Sequence, residues 1–272
     1  AALAATPVRE ERRVELSAEV ADAGRSILDI RGLGLKMGDR WLVRGLDLAM
    51  TSGERLGILG PNGAGKTTLF NLISGEFPPT SGTVHLFGED VSALPARKRA
   101  RMGLARTFQT SRLFGGLTVE DNVYLAVLGV RDGHLRPVLN HEDSEMRERA
   151  REIATQMGLG EVLDREVAEL SHGEQRQLEV AMARATDPKL MLLDEPAAGL
   201  SRTERQTLTE LLLGLPEDIT LVIIEHDMDV ALRVATWVTM MYEGQVIAEG
   251  TPDEIRANEM VHDLYLGRRH AA

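Results

Sequence analysis

The chain has 272 residues, 43% of them hydrophobic and 27% charged, enough apolar material to bury a core in one large or two modest domains. A formal net charge of -11, from 31 basic and 42 acidic residues, argues against nucleic acid as the partner. The absence of cysteine excludes disulfides, thiolate metal sites and thiol nucleophiles, and no apolar run approaches the roughly 20 residues that span a bilayer.

Residues 1 to about 25 are rich in Ala, Glu and Arg without an apolar stripe and read as a flexible tail. The charges at Arg9, Glu10, Glu11, Arg12 and Arg13 precede no apolar segment, so the tail does not read as a secretory signal. Ile27 to Met50 holds short β-like stretches with Gly38-Asp39 as a hairpin turn. Arg55–Leu59 is a short apolar strand. It runs into Gly60-Pro61-Asn62-Gly63-Ala64-Gly65-Lys66-Thr67-Thr68, which has the G-x-x-x-x-G-K-[ST] form of a phosphate-binding loop. There the glycines let backbone N–H groups turn inward on an anion. Lys66 supplies charge for the β- and γ-phosphates, and the Thr67 hydroxyl can ligate Mg²⁺. A helix opening at Thr68 and ending at Gly75 adds its positive N-terminal end to the cradle.

Pro78 to Gly82 reads as a turn, Thr83–Phe87 as a strand and Pro95 to Arg101 as a basic helix. Ala105-Arg106-Thr107-Phe108-Gln109 ends an edge strand on a polar residue that, alone, says little. From Leu117 to about Gly158 the pattern is helical. Thr118 caps a first helix, Gly129 to His141 is a loop, and Asp143 or Ser144 caps a long charged helix. Ser171 and Glu174 form a capping box before the next helix, which with the Gly173 backbone is also an anion site able to grip a γ-phosphate. Lys189–Leu193 and Thr220–Ile224 suit central parallel strands. The first delivers Asp194, a Mg²⁺ ligand, and Glu195, a general base, unless the pair is a solvated acidic turn. After the second comes His226, either a structural histidine or a side chain reaching the γ-phosphate. Val238 to Ile247, broken at Glu243-Gly244, is a hairpin. Helix–strand alternation around the phosphate loop predicts an α/β fold: a core sheet carrying the P-loop, an N-terminal antiparallel β part from the hairpin over Ile27 to Met50, and an inserted or attached α-helical subdomain.

Taken in this order, the elements resemble the nucleotide-binding subunit of ATP-binding-cassette (ABC) transporters over about residues 27 to 268. The resemblance makes Gly60 to Thr68 the Walker A motif, Leu170 to Gln175 the ABC signature, Asp194 and Glu195 the Walker B acids and His226 the switch histidine. It makes Gln109 the Q-loop glutamine, which touches Mg²⁺ and senses the membrane partner. It implies ATP and Mg²⁺ as cofactors, with ATP held by Gly60 to Thr68 and by Ser171, Gly173 and Glu174. It implies catalysis by Glu195, His226 and Gln109, and Mg²⁺ held by Thr67, Gln109 and Asp194. It implies integral-membrane permease partners and a second ATPase subunit, identical or not, packed head to tail so that each ATP lies between Walker A of one chain and the signature of the other. The expected organisation is a tail over 1–25, an ATPase domain over 26–268 with a helical subdomain at about 110–178, and a short tail over 269–272. The expected place is the cytoplasmic face of the inner membrane, as a peripheral subunit.

Within the family, Ala105 to Gln109 with Arg112-Leu113-Phe114, Leu117 to Val123, Asp194 to Leu200, Ile224 to Met228 and the ending Asp263-Leu264-Tyr265-Leu266-Gly267 resemble the ATPases of branched-chain amino acid, amide and urea importers. His172 departs from the usual signature glycine, and Ser201 from the usual D-loop aspartate. Met37 stands where relatives stack an aromatic on adenine, with Trp41 as a second candidate although a core role suits it better. Two other readings stand beside the importer: a lipopolysaccharide-export ATPase, and a soluble assembly-type ABC ATPase. The short span between Lys66 and Ser171 leaves no room for the coiled coils of chromosome-type members.

Overall fold

The computed structural model describes residues 26–107, 113–129 and 140–261. It opens with the predicted hairpin, β1 (Ser26–Met37) against β2 (Arg40–Thr51). After β3 (Arg55–Leu59) the chain returns as β4 (Ser81–Leu86), antiparallel to β1, and a short β5 (Glu89–Asp90) completes a four-stranded sheet ordered β2-β1-β4-β5. β4 is displaced from the predicted Thr83–Phe87: Ser81 pairs with Gly34, and Phe87 leaves the strand at φ 56°.

The second sheet adds β6 (Leu104–Arg106), β7 (Leu190–Asp194), β8 (Thr220–Ile224), β9 (Trp237–Tyr242) and β10 (Gln245–Gly250) to β3, in the order β10-β9-β3-β8-β7-β6. Every pairing is parallel except the β9–β10 hairpin. Every residue of β7 and β8 is buried, which is why their apolar runs do not alternate. The register pairs Ile224 with both Ile58 and Asp194, so β3, β8 and β7 end level and the loops beyond them converge.

Helix α1 (Lys66–Ser74) follows β3 and places Leu69, Phe70 and Ile73 in one core with Leu28 and Ile30 of the first sheet and Leu192 and Ile224 of the second. Its C-terminal carbonyls meet a cation from α2 (Ala96–Arg101). The Arg99 guanidinium, 0% exposed, donates to Leu72 O at 2.8 Å and Ile73 O at 2.7 Å, and to Leu94 O and Ser92 O besides. A helix C-terminus offers unmatched carbonyls and partial negative charge, and Arg99 answers both. Burial lowers its pKa to about 10, still cationic at neutral pH.

The helices α3 (Val119–Gly129), α4 (Asn140–Gln156) and α5 (His172–Ala185) share a core with β7 and β8 through Val123, Ala150, Leu178 and Leu193. Thr118 caps α3 as predicted, its Oγ1 accepting from the Asp121 N–H at 3.1 Å. The predicted start of α4 is wrong, and the loop proposed through His141 ends sooner. The helix begins at Asn140, with Asp143 already inside it, where its carboxylate accepts from the Tyr124 hydroxyl and pairs with Arg147 at 3.6 Å. Tertiary partners, rather than a capping role, account for that acid. Helices α6 (Arg202–Leu213), α7 (Met228–Val234) and α8 (Pro252–Ala257) complete the fold. The predicted tails at 1–25 and 269–272, Gln109, Arg112 and the Asp263–Gly267 ending lie outside the described residues.

Candidate active site

The loop between β3 and α1 wraps round a cleft of about 920 Å³. Gly60 has φ 151° and Gly65 φ 98°; a Cβ on the first would lie 2.2 Å from Met241 O and on the second 2.7 Å from Leu42 O. Both conformation and space therefore demand glycine there. α1 starts without a side-chain cap, leaving its first N–H groups available to an anion. Lys66 is buried at 5% exposure, and its Nζ donates to Gly60 O at 2.7 Å and Pro61 O at 3.2 Å. Burial lowers its pKa, and Glu195 and Asp194 work against that shift.

Asp194 ends β7 at 2% exposure. Its Oδ2 accepts from Arg106 Nη2 at 3.4 Å, and Arg106 is itself held by Ser74 Oγ at 2.7 Å. Its Oδ1 is buried without a hydrogen-bond partner, and burial raises its pKa against the pull of Arg106. An orphaned carboxylate oxygen beside a phosphate loop suits a hard cation that also binds phosphate oxygens. Among the described residues no cluster of three or more His, Cys, Asp or Glu side chains could hold a metal ion.

Glu195 adopts φ 51°, uncommon for a residue with a side chain. Its N–H donates to Ile224 O at 2.9 Å and its carbonyl accepts from Ala198 N–H at 3.0 Å. Across the gap between β7 and β8, His226 Nε2 lies 2.5 Å from Glu195 Oε1. Beside this pair, directly after β8, is Glu225, which the sequence reasoning does not single out. It is 2% exposed, accepts from Ala197 N–H at 2.8 Å and from His226 N–H at 3.2 Å, and is pushed up to about 7 by burial. The signal for it is present in Ile224-Glu225-His226, an acid directly after a fully buried strand.

The cleft thus brings together Asn62 to Thr68, Glu195 and His226, with Arg40, Trp41 and Leu42 as one wall. Gly60 and Pro61 form the base of the loop, hydrogen-bonded to Lys66. Met37 is not in the wall and is 64% exposed, whereas Trp41 is, half-buried. A core role for Trp41 is therefore corrected: it is only partly buried and lines the cleft.

Ser171, Gly173 and Glu174 lie outside this cleft. Ser171 and Glu174 form the predicted capping box on α5, and Arg165 stands 3.8 Å from Glu174 Oε1. The Gly173 N–H donates to Glu204 Oε1 of α6 at 3.2 Å, and His172 Nε2 lies 3.3 Å from Ala198 O. Ser201 caps α6 through its own box with Glu204.

Comparison with known proteins agrees with this geometry. Residues 43–198 match the family described as ABC transporter, and residues 245–271 match the family described as branched-chain amino acid ATP-binding cassette transporter. The chain is 36% identical to the high-affinity branched-chain amino acid transport ATP-binding protein BraF of Pseudomonas aeruginosa, covering 89% of this chain and 98% of that one. It is 37% identical to the corresponding LivG protein of Escherichia coli strain K12, with the same coverages. A crystal structure of a nucleotide-free ATP-binding cassette from an ABC transporter superposes with a TM-score of 0.78 at 28% identity, over 88% of this chain and 98% of that one. The chain belongs to the ABC transporter family, as its ATP-binding, ATP-hydrolysing component.

Proposed function

We propose that the chain powers an importer of branched-chain amino acids or of related small polar solutes such as amides and urea. The observation that carries this reading is the match of residues 245–271 to the branched-chain amino acid cassette family, together with the two transport relatives. We place the chain on the cytoplasmic face of the inner membrane as a peripheral subunit. Among the described residues no helix is long and apolar enough to cross a membrane, so permease subunits supply the pathway. We take residues 26–268 as the ATPase domain, with about 110–178 as the part that faces the permease. A groove of about 560 Å³ between α2, β6, α3 and α5, lined by Leu104, Leu113, Ala126 and Met182, borders that part.

Residues Gly60 to Thr68 hold the nucleotide phosphates, with Lys66 swinging from the loop carbonyls to the β- and γ-phosphate oxygens. Thr67 and Asp194, joined by Gln109, would hold Mg²⁺, which supplies charge neutralisation at the phosphates. Glu195 orients the attacking water and accepts its proton, and His226 fixes Glu195 and faces the γ-phosphate. Because Ser171, Gly173 and Glu174 lie away from the cleft of their own chain, they serve the cleft of a second copy or a related subunit, packed head to tail. Nucleic acid has no part in this scheme.

The test is partner capture followed by transport. Tagged Glu195→Gln protein is trapped with ATP and Mg²⁺ in its own host, the membranes are solubilised, and the co-purified permeases are reconstituted with wild-type chain. ATP-dependent uptake of leucine, an amide or urea supports the reading. A permease pair that moves lipopolysaccharide outward, or recovery of soluble partners alone, sinks it.

A further inference from the structure

We propose that Glu225 is a positioning residue for the Glu195–His226 pair, a two-oxygen clamp that holds the loops leaving β7 and β8 in register. The proposal rests on the reading of Glu195 as the base. Glu225 Oε1 accepts from the N–H of Ala197, two residues beyond Glu195, and Oε2 accepts from the N–H of His226. One side chain, 2% exposed, thus grips the backbone of each loop.

The β7 loop needs such a grip. Glu195 has φ 51°, a conformation that persists in a residue with a side chain only where its surroundings enforce it. Its own N–H and carbonyl are tied to Ile224 O and Ala198 N–H, which fixes the ends of the turn. The middle of the turn is fixed by Ala197 N–H on Glu225. Ala197 is buried at 5% exposure, so without Glu225 that donor has no water to replace the bond. A shift in the turn moves the Glu195 carboxylate directly, and a shift at the other oxygen moves the His226 ring. Burial, and behind it the nearby Glu195 charge, disfavour an ionised Glu225, yet a carboxylate occupies the position where an amide or an apolar group would avoid that conflict. Convergent backbone N–H donors from Ala197, His226 and Asp227 explain the choice. A carboxylate presents two acceptor oxygens, whereas a glutamine must turn its NH₂ toward one of the donors.

The experiment compares Glu225→Gln, Glu225→Ala and Glu195→Gln in the full chain by steady-state ATP hydrolysis, ATP binding and hydrogen exchange. Expected for Glu225→Gln is a kcat lower by about tenfold to a hundredfold, with KM and ATP affinity within about twofold of wild type, as for a displaced catalytic group. Exchange rises in peptides covering 194–200 and stays unchanged over 60–68. Wild-type kcat in both Glu225 variants, or unchanged exchange at Ala197, overturns the clamp. Loss of ATP affinity together with faster exchange throughout also overturns it, in favour of a general structural role. If Glu195→Gln hydrolyses ATP at the wild-type rate, the base assignment fails and the clamp fails with it. If Glu195→Gln is inactive while Glu225→Gln is fully active, the clamp alone fails.

Discussion

His226 Nε2 stands 2.5 Å from Glu195 Oε1, although the two residues leave different strands and are separated by a whole helix in sequence. The imidazole grips one carboxylate oxygen of a side chain that lines the cleft. Glu195→Gln keeps the shape and removes the basicity. Steady-state ATP hydrolysis with Mg²⁺ is expected to fall about a hundredfold or more, the usual share of a positioned base, while ATP binding persists. Turnover near the wild-type rate would assign the base elsewhere.

Lys66→Ala acts on binding. Under the proposed reading, the buried ammonium is the cation that the loop itself supplies to the phosphates. Its removal is expected to cost about 2 kcal/mol, or about thirtyfold in ATP affinity by titration. An unchanged dissociation constant would show that the N–H groups of the loop suffice.

Arg99→Met tests the fold apart from the chemistry. The substitution keeps an unbranched apolar stem but removes every donor to Leu72 O, Ile73 O, Leu94 O and Ser92 O. A loss of about 3 kcal/mol is expected, on the order of 8 °C in the melting temperature. A shift of less than about 2 °C would mean that water takes over those carbonyls.

Stability should carry a pH signature from Glu225. Its pKa rises from 4.5 to about 7 in the fold, chiefly through burial, with Glu195 adding to the shift and the N–H groups of Ala197, His226 and Asp227 opposing it. The folded state therefore holds the proton more tightly than the unfolded chain, and this contribution is full below about pH 4.5 and lost as pH rises through about 7. In Glu225→Gln the contribution is absent. The melting temperature of wild type minus variant is expected to fall between pH 5 and 7, and a flat difference would contradict the buried acid.

His172→Gly removes one exposed contact to Ala198 O and little else. ATP hydrolysis is expected to change by less than about fivefold, the worth of one ordinary hydrogen bond. Collapse of activity would give the histidine a specific part between the signature and the loop before α6.

What the sequence made legible was local. The phosphate loop, the Ser171–Glu174 box and the apolar runs of β7 and β8 each declare themselves within a few neighbouring residues, and the structure keeps them. What escaped depends on distant partners. Asp143 looks like a helix cap until Tyr124 and Arg147 claim it. Trp41 enters the cleft wall because the hairpin packs on the phosphate loop, with Leu42 O 2.7 Å from where a Cβ on Gly65 would stand. Glu225 reads as one more acid until β7 and β8 pair and bring Ala197 to it.

The separation of Ser171 from the cleft that holds Lys66 has an arithmetic consequence. Under the proposed pairing, each chain lends one half of a composite site and borrows the other. A chain damaged at Lys66 and a chain damaged at Ser171 are each inert alone. Each mixed pair of the two rebuilds one sound site beside one doubly spoiled one. The damage to a pool of chains therefore follows the pairs that form, not the number of faulty copies, and a single defective allele can either poison its healthy partners or be rescued by a differently defective one.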